Sequence, residues 1–232
     1  MEPPWREEWA ALRAAFKKGQ AVSQGQLDDL AETWVGRVKP TGKETETLVL
    51  VDGQGQSLQP RRQAPRWLCH LLALRHKAVH VLLVWDSPKL GCVLVCQVRS
   101  WDKIDYPGFV DISVGGHVVG DGDSRQAAFL EMHEEIGVAS EDLVGGDLTF
   151  VGAYDCTHES DKRPFYDAEW RDVYIARVNS LEAIRFTDGE VVGIYLCPQS
   201  EARNLLTQDR LAVANGLRLS LPVCLDHLAT RR

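Results

Sequence analysis

Residues 116–138 read GHVVGDGDSRQAAFLEMHEEIGV, and the second half carries Glu131, Glu134 and Glu135 at i, i+3 and i+4. Those spacings bring helical side chains together on one face. At about 100° per residue, Glu134 and Glu135 fall to either side of Glu131, while Phe129, Met132 and Ile136 point toward a core. Three like charges on an exposed face repel unless a cation or a basic partner neutralises them. No Lys or Arg occurs between Gln126 and Leu143. All-oxygen carboxylate clusters suit Mg²⁺ or Mn²⁺, which commonly bind through few protein carboxylates plus substrate phosphates. An arbitrary E-x-x-E-E would be a solvated helix face, so the frame decides. Gly137 suits a left-handed residue ending the helix. Gly115 and Gly116 let the backbone approach a phosphate ahead of it, the bland reading being a turn requirement.

In that frame the segment resembles the Nudix box, G-x5-E-x7-R-E-U-x-E-E-x-G-U with U aliphatic. Gly116, Glu131, Met132, Glu134, Glu135, Gly137 and Val138 match in register. Two positions depart: Gly122 stands where the pattern has its first Glu, and Leu130 replaces the Arg that helps hold the carboxylates. The resemblance implies an α/β/α sandwich around a mixed sheet, and a Mg²⁺-dependent hydrolase (Mn²⁺ as the variant) cleaving a phosphoanhydride in a nucleotide-type or other diphosphate metabolite. Glu131, Glu134 and Glu135 are then the metal ligands, with Glu134 or Glu135 as general base. Some members take the base from a later loop, where Glu159, Glu169 and Glu190 are the candidates. A homodimer is common in the family.

Upstream, the stretch around LRHKAVHV and the run CQVRSWDKIDYPGFVDISVGGH resemble the isopentenyl-diphosphate-isomerase-like branch, covering roughly residues 51–198. The resemblance implies diphosphate-gripping roles for Arg99 and Lys103, against ordinary surface charge. It also sets His80 and His117 at metal-binding positions of the isomerase, although lining the pocket or bonding to backbone is the simpler reading. His117, Gly115 and Gly116 are expected on the substrate side. His70 and His76 are expected to be structural. The isomerase uses a cysteine where this chain has Gly115, and a basic residue where it has Glu131. Both differences favour hydrolysis. A non-catalytic nucleotide-binding module and, further off, the isomerase are the competing readings.

The 232 residues are 44% hydrophobic, enough for a substantial core. Lys and Arg number 26 against 33 Asp and Glu, a net charge of −7, which argues against nucleic-acid binding but not against phosphate substrates beside a divalent ion. Six cysteines lie in no C-x-x-C pair and mostly in apolar runs, so buried free thiols in a reducing cytosol are expected. No secretory h-region or membrane-length apolar run is visible, and a cytoplasmic protein without membrane partners is expected.

Trp5, Trp9, Leu12 and Phe16 mark an amphipathic helix broken between Gly19 and Gly25, and Leu27, Leu30, Ala31 and Trp34 a second, starting near Ser23 or Gln24. Residues 1–45 therefore form an N-terminal helical extension and 46–232 the main domain, with Pro40 to Lys43 as linker. Leu48 to Val51 precede an Asp52-Gly53 turn with Ser57 to Gln59 returning, and Gln63 to Leu74 is helical or irregular. Strands are expected at 78–84, 92–98, 110–114, 148–154, 173–178 and 191–195. Residues 155–172 read as a loop whose Phe165, Tyr166 and Trp170 stack on a substrate ring, or belong to the core or a dimer contact. A helical C-terminus begins near Ser200, and Pro222 interrupts it.

Overall fold

The computed structural model describes residues 5–16, 22–160, 165–207 and 211–230. The chain forms two compact units: 1–78 with 117–122 and 154–171, and 79–116 with 123–153 and 172–232.

In the first unit, α1 (Arg6–Phe16) and α2 (Gln24–Val38) are the expected helices; part of the break between them lies outside the described residues. Ser23 caps α2 reciprocally: its hydroxyl accepts from Gln26 N at 3.3 Å, and Gln26 Oε1 accepts from Ser23 N at 2.9 Å. The chain leaves α2 through Lys39 in a left-handed conformation. β1 (Thr47–Val49) pairs antiparallel with β2 (Gln63–Pro65), which leads into α3 (Arg66–Leu72). The return strand is thus later than expected. Residues 57–59 make only one bridge, Val51 to Ser57, because Asp52 Oδ1 accepts from both Gln54 N and Gln56 N and rounds the turn tightly. Trp9, Leu27 and Trp34 join Leu68, Leu71, Leu72 and Tyr166 in one buried cluster. The indole N–H of Trp9 donates to Leu71 O at 2.6 Å, satisfying a carbonyl at the end of α3. The amino-terminal helices therefore build core.

The second unit is organised by a hairpin of β3 (His76–Ser87) and β4 (Gly91–Arg99), with Leu83 opposite Val95 and Ser87 opposite Gly91. β5 (Val110–Asp111) and β6 (Val114–His117) follow, then α4 (Ser124–Ile136), β7 (Leu143–Glu159), β8 (Tyr166–Val178), β9 (Val191–Pro198) and α5 (Asn215–Ala229). The seven-stranded sheet runs β5-β4-β3-β8-β7, with β6 on β3 and β9 on β4. Alternation along β4 separates its faces: Gln97 meets Glu135 of α4, whereas the Cys96 thiol feels Cys224 of α5. Helices on both faces of a mixed sheet are the sandwich anticipated from the sequence.

Several local readings change. β7 and β8 are longer than expected, so the stretch from 155 to 172 is mostly strand, with 161–164 outside the described residues. Gln199–Leu206 is a 3₁₀ helix. Pro222 does not interrupt the final helix; it lies inside α5. Burial of Leu217, Leu221, Cys224, Leu225 and Leu228 along one stripe outweighs the local cost of the proline.

Candidate active site

α4 starts where Asp123 Oδ1 accepts from Gln126 N at 2.8 Å, and ends at Gly137, whose φ is 67°. Met132 and Ile136 are buried as expected. The acidic face is not the exposed one the helical wheel suggested: Glu131 and Glu135 are 8% and 4% exposed, and Glu134 is half-buried. The cause is β6. A Cβ on Gly116 would lie 2.0 Å from Glu131 Cδ, so only a residue without a side chain lets Glu131 lie against that strand.

Gln97 Nε2 donates to Glu135 Oε2 at 3.4 Å. Burial pushes the Glu135 carboxyl well above its usual range, and the charges of Glu131 and Glu190 add to the shift; Lys103 opposes it only in part. Lys103 donates to Glu190 Oε2, and Ser100 N donates to Glu190 O at 2.9 Å. Of the three late-loop base candidates, Glu190 is the one in the electrostatic neighbourhood of Glu135. Glu159 accepts from Tyr166 and faces Arg13, and Glu169 belongs to a different cluster.

Arg99 is held within its own loop: Nε and Nη2 donate to Asp105 O at 3.3 and 3.1 Å, and Nη1 to Asp111 Oδ2 at 3.3 Å. It shapes the loop that carries Lys103. A Cβ on Gly115 would stand 3.2 Å from the His80 ring, and His80 Nδ1 shares a 2.7 Å hydrogen bond with Ser220 Oγ. The two departures from the box have local accounts. A Cβ at Gly122 would meet Val119 O at 3.1 Å, while Leu130 is 54% exposed. The flanking Asp121 pairs with Arg61, and Asp123 is committed to the cap.

A second cluster lies in the first unit. His70, His76, His117 and Glu169 each offer a ligand atom, all within 4.8 Å of one another. Within it His76 meets His117, with ring centroids 5.1 Å apart, whereas His80 bonds to Ser220. His117, expected on the substrate side, is a member of this cluster. His70 Nδ1 faces Tyr166 O at 3.1 Å and His76 Nδ1 faces Leu74 O at 2.8 Å. If these nitrogens carry the protons, each Nε2 is left with a lone pair. His70 Nε2, His76 Nε2 and His117 Nδ1 are buried without hydrogen-bond partners. Leaving such atoms unsatisfied costs about 1–3 kcal/mol each. Burial lowers the His70 and His117 imidazoles, whereas Cys69 and Glu169 outweigh burial at His76 and raise it to about 10; burial opposes ionisation of Glu169 too, but Arg171, His117 and His76 hold that carboxyl well below its usual range. Imidazole with carboxylate is a donor set that fits a transition ion, whereas Glu131, Glu134 and Glu135 fit Mg²⁺ or Mn²⁺.

Phe165, Tyr166 and Trp170 make contacts within the chain. Tyr166 packs on Trp9 with centroids 5.7 Å apart, Phe165 stacks on His70 at 4.1 Å, and Trp170 covers Gly55. All six cysteines are free, and no described helix is long and apolar enough to cross a membrane.

The fold has relatives among known proteins. Nudix hydrolase 3 of Arabidopsis thaliana is 33% identical over 149 residues, which are 62% of this chain and 18% of that protein, so the chain spans under a fifth of that relative's length. The crystal structure of DR0079 from Deinococcus radiodurans superposes with a TM-score of 0.56 at 19% identity, covering 77% of this chain and 98% of that one, a likeness of fold. A NUDIX domain model matches residues 74–216, more than half of the chain. This chain therefore belongs to the NUDIX family.

Proposed function

We propose that the chain is a divalent-metal-dependent hydrolase of a phosphoanhydride in a nucleotide-type or other diphosphate metabolite. One observation carries the reading: Glu131 and Glu135 are buried together, and the Glu135 carboxyl is pushed well above its usual range by burial and by Glu131 and Glu190. Such a pair calls for a cation. Glu131, Glu134 and Glu135 would hold Mg²⁺ or Mn²⁺, which supplies charge neutralisation at the phosphate and eases deprotonation of water. Glu190, beside Glu135 and steadied by Lys103, takes the proton from the attacking water; Glu134 or Glu135 is the alternative base. Lys103 can meet phosphate charge when it leaves Glu190, and Gly115 and Gly116 keep the approach to the acids free of side chains. Gly115 offers no thiol for isomerase chemistry. The free thiols fit a cytoplasmic setting.

The test is phosphate release in Mg²⁺ from nucleoside diphosphate sugars, dinucleotides, coenzyme A, and prenyl or thiamine diphosphates. Turnover of at least one, lost in Glu134→Gln or Glu135→Gln with the fold intact, is expected. Tight nucleotide binding without turnover would favour a binding module, and a product of unchanged mass an isomerase.

A further inference from the structure

Beside the acids lies a side chain that the hydrolase reading leaves unused. Ser100 to Lys103 form a β-turn, closed by Lys103 N donating to Ser100 O at 3.3 Å, with Asp102 N turned back on Ser100 Oγ at 3.3 Å. Both ends of the turn are fastened to Glu190: Ser100 N donates to its carbonyl at 2.9 Å, and the Lys103 ammonium to its carboxylate. Trp101 stands at the corner between them, 74% exposed, more than any other large apolar side chain described.

Its indole is nevertheless seated. A Cβ built on Gly108 would lie 2.4, 2.5 and 2.8 Å from Cη2, Cζ3 and Cζ2. An approach in the ring plane would leave at least one of these atoms far behind the nearest, so Gly108 lies under one face of the indole. The opposite face is the one open to solvent. The seat is firm: Gly108 N donates to Arg99 O at 3.2 Å, and Arg99 Nε and Nη2 donate to Asp105 O at 3.3 and 3.1 Å. We propose that Trp101 is the specificity-determining residue of the site, its open face receiving the flat ring of a nucleoside whose diphosphate reaches Lys103 and the acids. The inference rests on the hydrolase reading. Two successive Cα steps put Trp101 and Lys103 at most about 7.6 Å apart, a span that a ribose can bridge. A nucleobase needs an apolar partner for its faces alone and keeps its rim in water. Ser100, Asp102, Lys103 and Asp105 around the indole are polar, which suits that rim. A prenyl chain is apolar on every side and gains from burial all round, which a single indole face does not supply.

The test is calorimetric binding to the full chain in Mg²⁺ with two probes. One is ADP carrying a methylene group in place of the bridging oxygen, which resists cleavage; the other is methylenediphosphonate, which has no base. Wild type is expected to bind the first more tightly. Trp101→Ala should weaken that binding by about 5- to 150-fold, the range for a base stacked on an aromatic side chain, and leave methylenediphosphonate unaffected. Trp101→Phe should keep most of the nucleotide affinity. Equal affinity of wild type for the two probes would overturn the platform without recourse to any variant. So would an unchanged nucleotide affinity in Trp101→Ala, or equal losses for both probes, which would mean that the indole only supports Lys103. A prenyl diphosphate that loses affinity in Trp101→Ala while the nucleotide does not would overturn the assigned occupant. Methylenediphosphonate reports on the acids and their metal alone, so protein that binds neither probe speaks against the hydrolase reading itself, and the two failures are distinguishable.

Discussion

Gly116→Ala isolates the contact on which the acidic site depends. The added methyl carbon would stand 2.0 Å from Glu131 Cδ and 2.1 Å from Oε1, against an ordinary contact of at least 3.4 Å, so the carboxylate must move by at least 3.4 − 2.0 = 1.4 Å. Gly116 is not among the positive-φ glycines, so alanine is compatible with the backbone. Cγ would lie 2.2 Å away as well, so the whole buried side chain must shift, an overpacking cost of about 1–3 kcal/mol. It is partly offset by roughly 0.4–1 kcal/mol from a less flexible unfolded chain. Folding stability should therefore fall by no more than about 2–3 kcal/mol. Catalysis suffers as well: misplacement by 1 Å costs about 10²-fold, so a loss of roughly 10²- to 10³-fold in kcat/KM is expected. The assay is phosphate release across a Mg²⁺ titration, with Tm measured on the same samples. Gly25→Ala in α2 is the control, because its methyl group would meet nothing within 4 Å. Wild-type kcat/KM in Gly116→Ala would refute the assignment of Glu131 to the site.

Glu135→Gln should stabilise the metal-free protein. Its carboxyl titrates well above the usual range in the fold, so ionising it costs stability. That cost is absent below the unfolded value of about 4.3, grows as pH rises toward the folded pKa, and stays in full beyond it. Tm with chelator should thus exceed that of wild type in mildly alkaline buffer, the gain shrinking as pH falls; a lower Tm there would contradict the buried-charge account. Glu190→Gln should lower kcat by about 10²- to 10⁴-fold and remove the acidic limb of its pH profile. An unchanged profile would assign the base to α4. Asp123→Ala should cost about 1 kcal/mol in urea denaturation through loss of the cap on α4, and no loss would mean that another group caps the helix.

The acidic helix was legible because its information is local: Glu131, Glu134, Glu135 and Gly137 sit within seven residues at helical spacing. Its burial was not, since that depends on Gly116 lying against it from a different element. The histidine cluster draws on four elements, and no spacing rule joins them. His76 and His80 also have the same parity on β3, so alternation puts both on one face. About 13 Å of strand separates them, and only the fold shows that His76 reaches His117. The hydrogen bonds of Arg99 were not legible either, because Asp105 and Asp111, six and twelve residues on, meet it only in the folded loop. Pro222 misled for the opposite reason, a strong local rule overridden by the apolar stripe of α5.

The indole of Trp9 that docks on the carbonyl of Leu71 has a practical corollary for anyone trimming this protein. Cutting at the limits of the matched segment, 74 and 216, would discard all three tryptophan-bearing helices, α1, α2 and the α3 that supplies His70, and nearly all of the terminal helix. The remnant would expose the apolar surfaces those pieces cover and should be recovered as aggregate, although every glutamate of the α4 triad would still be present.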